Sequence, residues 1–168
     1  MEVYLLRHAI AVDRGTPEYE GRDDERPLTK EGIKKMKSAA VGMARLDLRF
    51  DCIWTSPIPR AKHTAEIVAN ALDAEDLLEE HEELGHGFSC EALLRLLQGA
   101  SRSERILLVG HQPDLGEFAS YLLTGDNRLR ISYKKGALLR IDFDDTPAAG
   151  AGTLAWFLEP GQMRQVQD

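Results

Sequence analysis

The sequence predicts an α/β domain: a three-layer α/β/α sandwich with a mostly parallel central sheet and an antiparallel hairpin at its C-terminal edge. Three observations predict it. Short apolar runs alternate with stretches of helical periodicity as far as Gly125. Three of those runs, beginning at Val3, Cys52 and Ile106, are continuous rather than alternating, as strands buried on both faces are. From Ile131 onward the helical periodicity stops, and two strand-like segments flank a Pro- and Gly-containing connection. With no internal repeat and no linker composition, residues 1–168 read as a single domain.

Val3-Tyr4-Leu5-Leu6 is the first strand, ending in Arg7-His8-Ala9. Residues 9–27 are polar, with Gly15, Pro17, Gly21 and the charged run Arg22 to Arg26, and read as a surface loop over that strand's end. Thr29 is a good helix N-cap, with Leu28 and Ile33 placed as a hydrophobic staple. Ile33, Met36, Ala40 and Met43 then keep helical spacing, which predicts an amphipathic helix over 30–46 with Lys34, Lys35 and Lys37 on its wet face. Asp51 to Thr55 is a second short strand. Ser56-Pro57 reads as an N-cap followed by a first-turn proline, and Ala61, Ala65, Val68 and Leu72 give that helix one small-residue face. Residues 73–88 are acidic and loop-like, with a short strand near Leu77-Leu78. Leu93, Leu94, Leu96 and Leu97 belong to a helix ended near Gly99. Arg105 to Val109 is a clear strand, and Leu115, Phe118, Ala119, Leu122 and Leu123 lie on a helix that Gly125 stops. Ala137 to Phe143 and Thr153 to Leu158 are the hairpin strands, and 160–168 read as a frayed tail. Trp54 and Trp156 are expected in the core.

Composition excludes several classes. The chain has 168 residues, 43% hydrophobic and 29% charged, which suits a soluble domain with a real core. A net charge of -7 argues against nucleic acid as a partner, so any anion site is a local concentration of positive charge. No segment is long enough to span a bilayer, and the N-terminus enters a strand at once, unlike a signal peptide. Cys52 and Cys90 are too few for a disulfide scaffold and suit reduced thiols in a cytoplasm. His63, His81 and His86 read as surface or loop residues without the spacing or partners of a zinc site, so neither a metal nor another cofactor is expected.

The polar residues that matter stand at strand ends, where ligands of open α/β sheets bind. Arg7 and His8 follow the first strand, Arg60 lies in the first turn after the second, and His111 follows Gly110. These types suit phosphoryl transfer. Arginine forks match phosphate oxygens and keep their charge. The N-terminus of the helix carrying Arg60 adds a positive dipole end. A neutral histidine is a competent nucleophile, and a second can donate to a phosphoryl oxygen. Gly110 is expected to let the backbone approach a ligand.

Leu6-Arg7-His8-Ala9, the stretch from Ser56-Pro57 through Arg60-Ala61 to Thr64-Ala65, and Val109-Gly110-His111-Gln112-Pro113 together resemble the motifs of the histidine phosphatase superfamily, whose fold is that of phosphoglycerate mutase. The segment from Arg26-Pro27-Leu28-Thr29 to Gly32 and the short chain narrow the resemblance to the SixA-type phosphohistidine phosphatases. The resemblance covers nearly the whole chain. It implies that His8 attacks phosphorus and becomes a transient phosphohistidine, that Arg7, Arg60 and His111 hold the phosphoryl oxygens, and that water then releases phosphate without a metal. The family usually has glycine after the nucleophile. This chain has Ala9, which disfavours positive φ. Glu83 is the nearest candidate acid. Arg26 has two readings, as a phosphate ligand or as an ion-pair partner of Glu25 or Glu31.

The expected function is therefore a cytoplasmic, metal-independent protein phosphohistidine phosphatase acting on a histidine-phosphotransfer type of partner. The alternatives are a small-molecule phosphomonoesterase or phosphomutase on the same fold, or a non-catalytic module that binds phosphoproteins.

Overall fold

Strand β1 (Glu2–Arg7) carries apolar side chains on both faces and so lies in the middle of the sheet. Tyr4 and Leu6 face one core cluster, and Val3 and Leu5 face the other. The same alternation holds in β4 (Arg105–Gly110), where Leu107 and Val109 face one layer and Ile106 and Leu108 the opposite one. The computed structural model describes residues 1–13, 19, 21–100 and 102–166. The expectations placed on Gly15 and Pro17 lie outside them.

The remaining strands are β2 (Cys52–Thr55), β3 (Leu78–Glu80), β5 (Leu138–Asp142) and β6 (Thr153–Leu158). They form one six-stranded sheet in the order β3-β2-β4-β1-β5-β6. The first four strands are mutually parallel, and β5 and β6 run antiparallel at one edge. The short strand expected near Leu77-Leu78 is β3, the exposed opposite edge. Helices α1 (Lys30–Arg45) and α2 (Pro59–Ala71) cover one face, and α3 (Cys90–Gly99) and α4 (Asp114–Thr124) cover the other. The three-layer α/β sandwich with its C-terminal hairpin is thus the observed architecture. Cys52 and Cys90 are free thiols. No helix among the described residues is long and apolar enough to cross a membrane.

Helix α1 starts where its cap predicts. The Thr29 hydroxyl accepts from the Gly32 amide at 2.9 Å, and Met36, Ala39, Ala40 and Met43 are buried. Gly32 is required for a close approach. A Cβ there would lie 2.1 Å from the Ile10 carbonyl oxygen, which also accepts from the Thr29 amide. The helix thus holds the loop that follows β1.

Two local expectations are corrected. Helix α2 begins two residues later than the Ser-Pro reading, with Ile58 at the N-cap and Pro59 at the first helical position. This leaves Ser56 outside the helix. The tail is not frayed over 160–166. Pro160 to Met163 form a short helix, α5, entered through a capping box of Glu159 and Gln162. Met163 is fully buried against α1, and the Arg45 guanidinium donates to the Val166 carbonyl at 2.9 Å.

Candidate active site

The parallel register brings the three chemistry-bearing loops together. Arg7 stands opposite Gly110 across the β1–β4 pair, and Thr55 stands opposite Val109 across β2–β4. His8, Ser56 and His111 are therefore the first residues past three adjacent strands. Backbone bonds tie them: the His8 amide donates to the Gly110 carbonyl at 3.0 Å, and the Ser56 amide donates to that of Val109 at 3.0 Å. The His8 and His111 rings lie 5.3 Å apart, centroid to centroid.

The His8 ring is oriented by its own loop. Nδ1 lies 2.7 Å from the Ala9 carbonyl. A carbonyl only accepts, so Nδ1 carries the proton and Nε2 keeps its lone pair. Burial lowers the His8 pKa to about 3, helped by His111, Arg60 and Arg7 and partly offset by the Ala9 carbonyl. The ring is thus neutral at pH 7, the state a nucleophile needs. Ala9 fits the loop without strain: among the described residues only Asp47 and Asp73 combine a side chain with positive φ. Its amide donates to the Thr64 hydroxyl at 3.0 Å, and that hydroxyl donates to the Arg60 carbonyl at 2.6 Å. Thr64 therefore clamps the loop after β1 to α2.

Arg60 is buried in the first turn of α2, and its Nη1 donates to the Asp23 carbonyl at 3.0 Å. Arg7 is half-buried. One guanidinium nitrogen donates to the Tyr133 carbonyl, and the Tyr133 hydroxyl in turn donates to the Leu5 carbonyl. Its buried Nε has no acceptor among the described residues. His111 is held at Nε2 by the Ser56 hydroxyl, 2.9 Å away, and its buried Nδ1 has no partner among the described residues. Burial again lowers its pKa to about 3, with Arg60, His86 and Arg7 adding to the effect and Asp23 opposing it. Two guanidinium groups and two neutral imidazoles thus converge, with buried polar nitrogens on Arg7 and His111 that the described residues leave unmatched. A tetrahedral oxyanion supplies the acceptors such donors need.

The other expected residues fall around this centre. Arg26 donates from Nε to Asp23 at 2.7 Å and from Nη1 to the Val12 carbonyl at 2.6 Å, so its acidic partner is Asp23 and neither Glu25 nor Glu31. It shapes the Asp23 turn that Arg60 touches. Glu83 is half-buried in a 3₁₀ turn, Glu82–Leu84. Two residues on, a Cβ at Gly85 would lie 3.0 Å from the Ser56 hydroxyl oxygen, so this turn packs over the end of β2. At Gly110 a Cβ would lie 3.3 Å from the Leu115 side chain, so that glycine serves the close packing of α4. His81 stacks on Trp54 with centroids 4.9 Å apart, and His86 is exposed, 3.7 Å from Asp24. Among the described residues no group of three or more His, Cys, Asp or Glu is placed to hold a metal ion.

Sequence reasoning gave Ser56, Thr64 and Tyr133 no role in the site. The signal for the first two was present: a serine ending one strand beside another, and a threonine one helical turn past Arg60. Tyr133 carried none, because it acts through its backbone carbonyl.

Comparison with known proteins bears on the family and the fold. A family model for the histidine phosphatase superfamily (branch 1) matches residues 3–87. An uncharacterised protein of Picosynechococcus is 38% identical over 145 residues, 83% of each chain. The phosphohistidine phosphatase SixA of Escherichia coli is 23% identical over 99% of each chain. The structure of the protein histidine phosphatase SixA complexed with tungstate superposes with a TM-score of 0.81 at 24% identity, covering 96% of this chain and 98% of that one. The α-ribazole phosphatase of Shigella flexneri shares the fold as well, with a TM-score of 0.69 at 18% identity over 95% of this chain and 97% of its own.

Proposed function

This chain belongs to the histidine phosphatase superfamily, and from that premise we propose that it is a metal-independent phosphatase of phosphohistidine carried on a phosphotransfer protein. The observation that carries the reading is the His8 ring. Its Nδ1 proton is engaged by the Ala9 carbonyl, which leaves Nε2 as a neutral, buried nucleophile beside Arg7, Arg60 and His111.

In the proposed reaction His8 Nε2 forms a bond to phosphorus as the bond to the leaving group breaks. Arg7, Arg60 and His111 donate to the phosphoryl oxygens and stabilise the charge that gathers there. Water then attacks the phosphohistidine, phosphate leaves, and His8 is restored. The leaving group favours a P–N substrate. A phosphohistidine whose other ring nitrogen is protonated leaves as neutral imidazole, whose conjugate acid has a pKa of roughly 6.5, so the leaving nitrogen itself needs no acid. An alkoxide would need a strong general acid. Glu83, in the turn packed over Ser56, is the carboxyl we assign to that task where a P–O substrate is used. Arg26 supports the site through the Asp23 turn, and a direct phosphate contact remains part of the same proposal. The SixA relative, similar over almost the whole chain, bears the name of this activity. The free thiols Cys52 and Cys90 suit a cytoplasmic setting.

A second reading, a small-molecule phosphomonoesterase, draws support from the fold shared with an α-ribazole phosphatase. Two measurements separate the readings. Brief exposure to a phosphoryl donor is expected to leave an acid-labile adduct on the wild type and none on His8→Ala. The same adduct on His8→Ala would remove His8 as nucleophile, and no adduct on either would favour a binding module. Side-by-side rates on a phosphohistidine protein and on sugar and serine phosphates should favour the former. Faster turnover of the phosphate esters would establish the second reading.

A further inference from the structure

Ser56 is fully buried and lies outside the helix it was expected to cap. Among the described residues its hydroxyl has two neighbours in hydrogen-bond reach. The Ile58 amide donates to it at 3.2 Å, and His111 Nε2 lies 2.9 Å away. An amide is always a donor, so Ser56 is already an acceptor toward Ile58. A hydroxyl has one hydrogen to give, and His111 Nε2 is the acceptor in reach. The opposite arrangement, with Nε2 protonated and donating to Ser56, would leave a fully buried hydroxyl hydrogen without a partner. It would also leave a bare lone pair on His111 Nδ1, which repels phosphoryl oxygens. The turn after Glu83 closes over this hydroxyl, since a Cβ at Gly85 would lie 3.0 Å from its oxygen.

We propose that Ser56 is a positioning residue: its hydroxyl, oriented by the Ile58 amide, donates to His111 Nε2 and so fixes the His111 proton on Nδ1, the nitrogen that donates to the phosphoryl group. The role of that nitrogen toward a phosphoryl oxygen rests on the phosphatase reading above, whereas the tautomer itself does not. Because burial keeps the His111 ring neutral at pH 7, the tautomer is a defined property of the resting protein. The relay pairs the two histidines in opposite duties. The Ala9 carbonyl keeps Nε2 of His8 bare for attack, and Ser56 keeps Nδ1 of His111 protonated for donation.

The test is two-bond ¹H–¹⁵N correlation spectroscopy on the full chain labelled with ¹⁵N-histidine at pH 7, with His111 assigned by its loss in His111→Asn. The expected wild-type spectrum shows His111 protonated on Nδ1. In Ser56→Ala the proton should move to Nε2 or average between the two nitrogens, while kcat falls about 10- to 100-fold, the usual cost of losing an outer-shell orienting partner, and KM changes little. A wild-type His111 protonated on Nε2 overturns the proposal, and that spectrum decides it even where Ser56→Ala does not fold. An unchanged tautomer in Ser56→Ala also overturns it. A tautomer switch in a protein that turns over no phosphohistidine would support the positioning role and remove the phosphohistidine reading.

Discussion

Arg60 shows how much a single residue at this site reveals of itself in sequence. It was identifiable because an arginine in the first turn of a helix that follows a short apolar strand stands at a helix N-terminus on the ligand side of the sheet. Arg7, His8 and His111 were identifiable by the same positional logic. Ser56 and Thr64 were marked by position alone, at a strand end and one helical turn past Arg60, whereas the side chains they meet across β2, β4, β1 and α2 are not encoded by spacing along the chain. The structure sharpens the prediction for Arg60. The side chain is buried, yet its Nη1 bond to the Asp23 carbonyl holds a surface turn rather than the core. Arg60→Ala should therefore lower kcat/KM by about 3 kcal/mol in activation free energy, the scale of one lost charge-stabilising donor, while the urea midpoint stays close to that of the wild type. Arg60→Lys should recover little, since a point charge does not reproduce the guanidinium fork. An unfolded Arg60→Ala protein would make Arg60 a structural residue instead.

At the scale of the element, α1 acts as a clamp with two jaws. Gly32, in its first turn, admits the Ile10 carbonyl, and Gly42, near its end, admits the Met163 carbonyl; Cβ atoms there would lie 2.1 Å and 1.9 Å from those oxygens. The helix itself was plain from its period and its Thr29 cap. Its partner α5 was not, because a polar C-terminal segment with Met163 as its one large apolar side chain after Pro160 reads as a fray, and the burial of Met163 depends on a glycine some hundred and twenty residues earlier. Intrinsic helix propensity alone would make glycine-to-alanine changes stabilising by about 1 kcal/mol. The packing predicts the opposite sign. Gly42→Ala should displace α5 and lower stability by roughly 1–3 kcal/mol, as overpacking does, with kcat/KM within about twofold of wild type. Gly32→Ala should lower both stability and kcat/KM, because the carbonyl it displaces lies two residues past His8. Urea midpoints and steady-state rates measure both variants. A stabilised Gly42→Ala would mean that α5 does not pack on α1.

At the scale of the whole molecule, the chain gathers two arginines and two buried histidines into one site while its net charge is -7. In the proposed reaction His8 attacks only as an uncharged imidazole, and that condition couples the site to the stability of the fold. In the unfolded chain His8 and His111 take up protons near the ordinary value of about 6.5, whereas in the folded protein both are held down to about 3. Between those limits the unfolded state binds more protons, so stability rises with pH. The contribution is therefore present above pH 6.5 and is lost as pH falls toward 3, by up to about 1.4 kcal/mol per pH unit for each histidine. Half-buried Asp114 runs the other way, because burial raises its carboxyl above the ordinary value and its term favours the folded state at lower pH. Two histidines outweigh one partly buried carboxyl, and most carboxylates titrate below pH 5, which leaves the interval from pH 5 to 6.5 to the imidazoles. Urea midpoints measured across that interval should fall with falling pH in the wild type. In a His8→Asn, His111→Asn double variant the dependence should flatten, with asparagine chosen because it keeps a polar side chain of similar size and does not titrate. A double variant as pH-sensitive as the wild type would show that the two imidazoles titrate normally in the folded protein. They would then be partly cationic below neutrality, which is incompatible with His8 as a free nucleophile there.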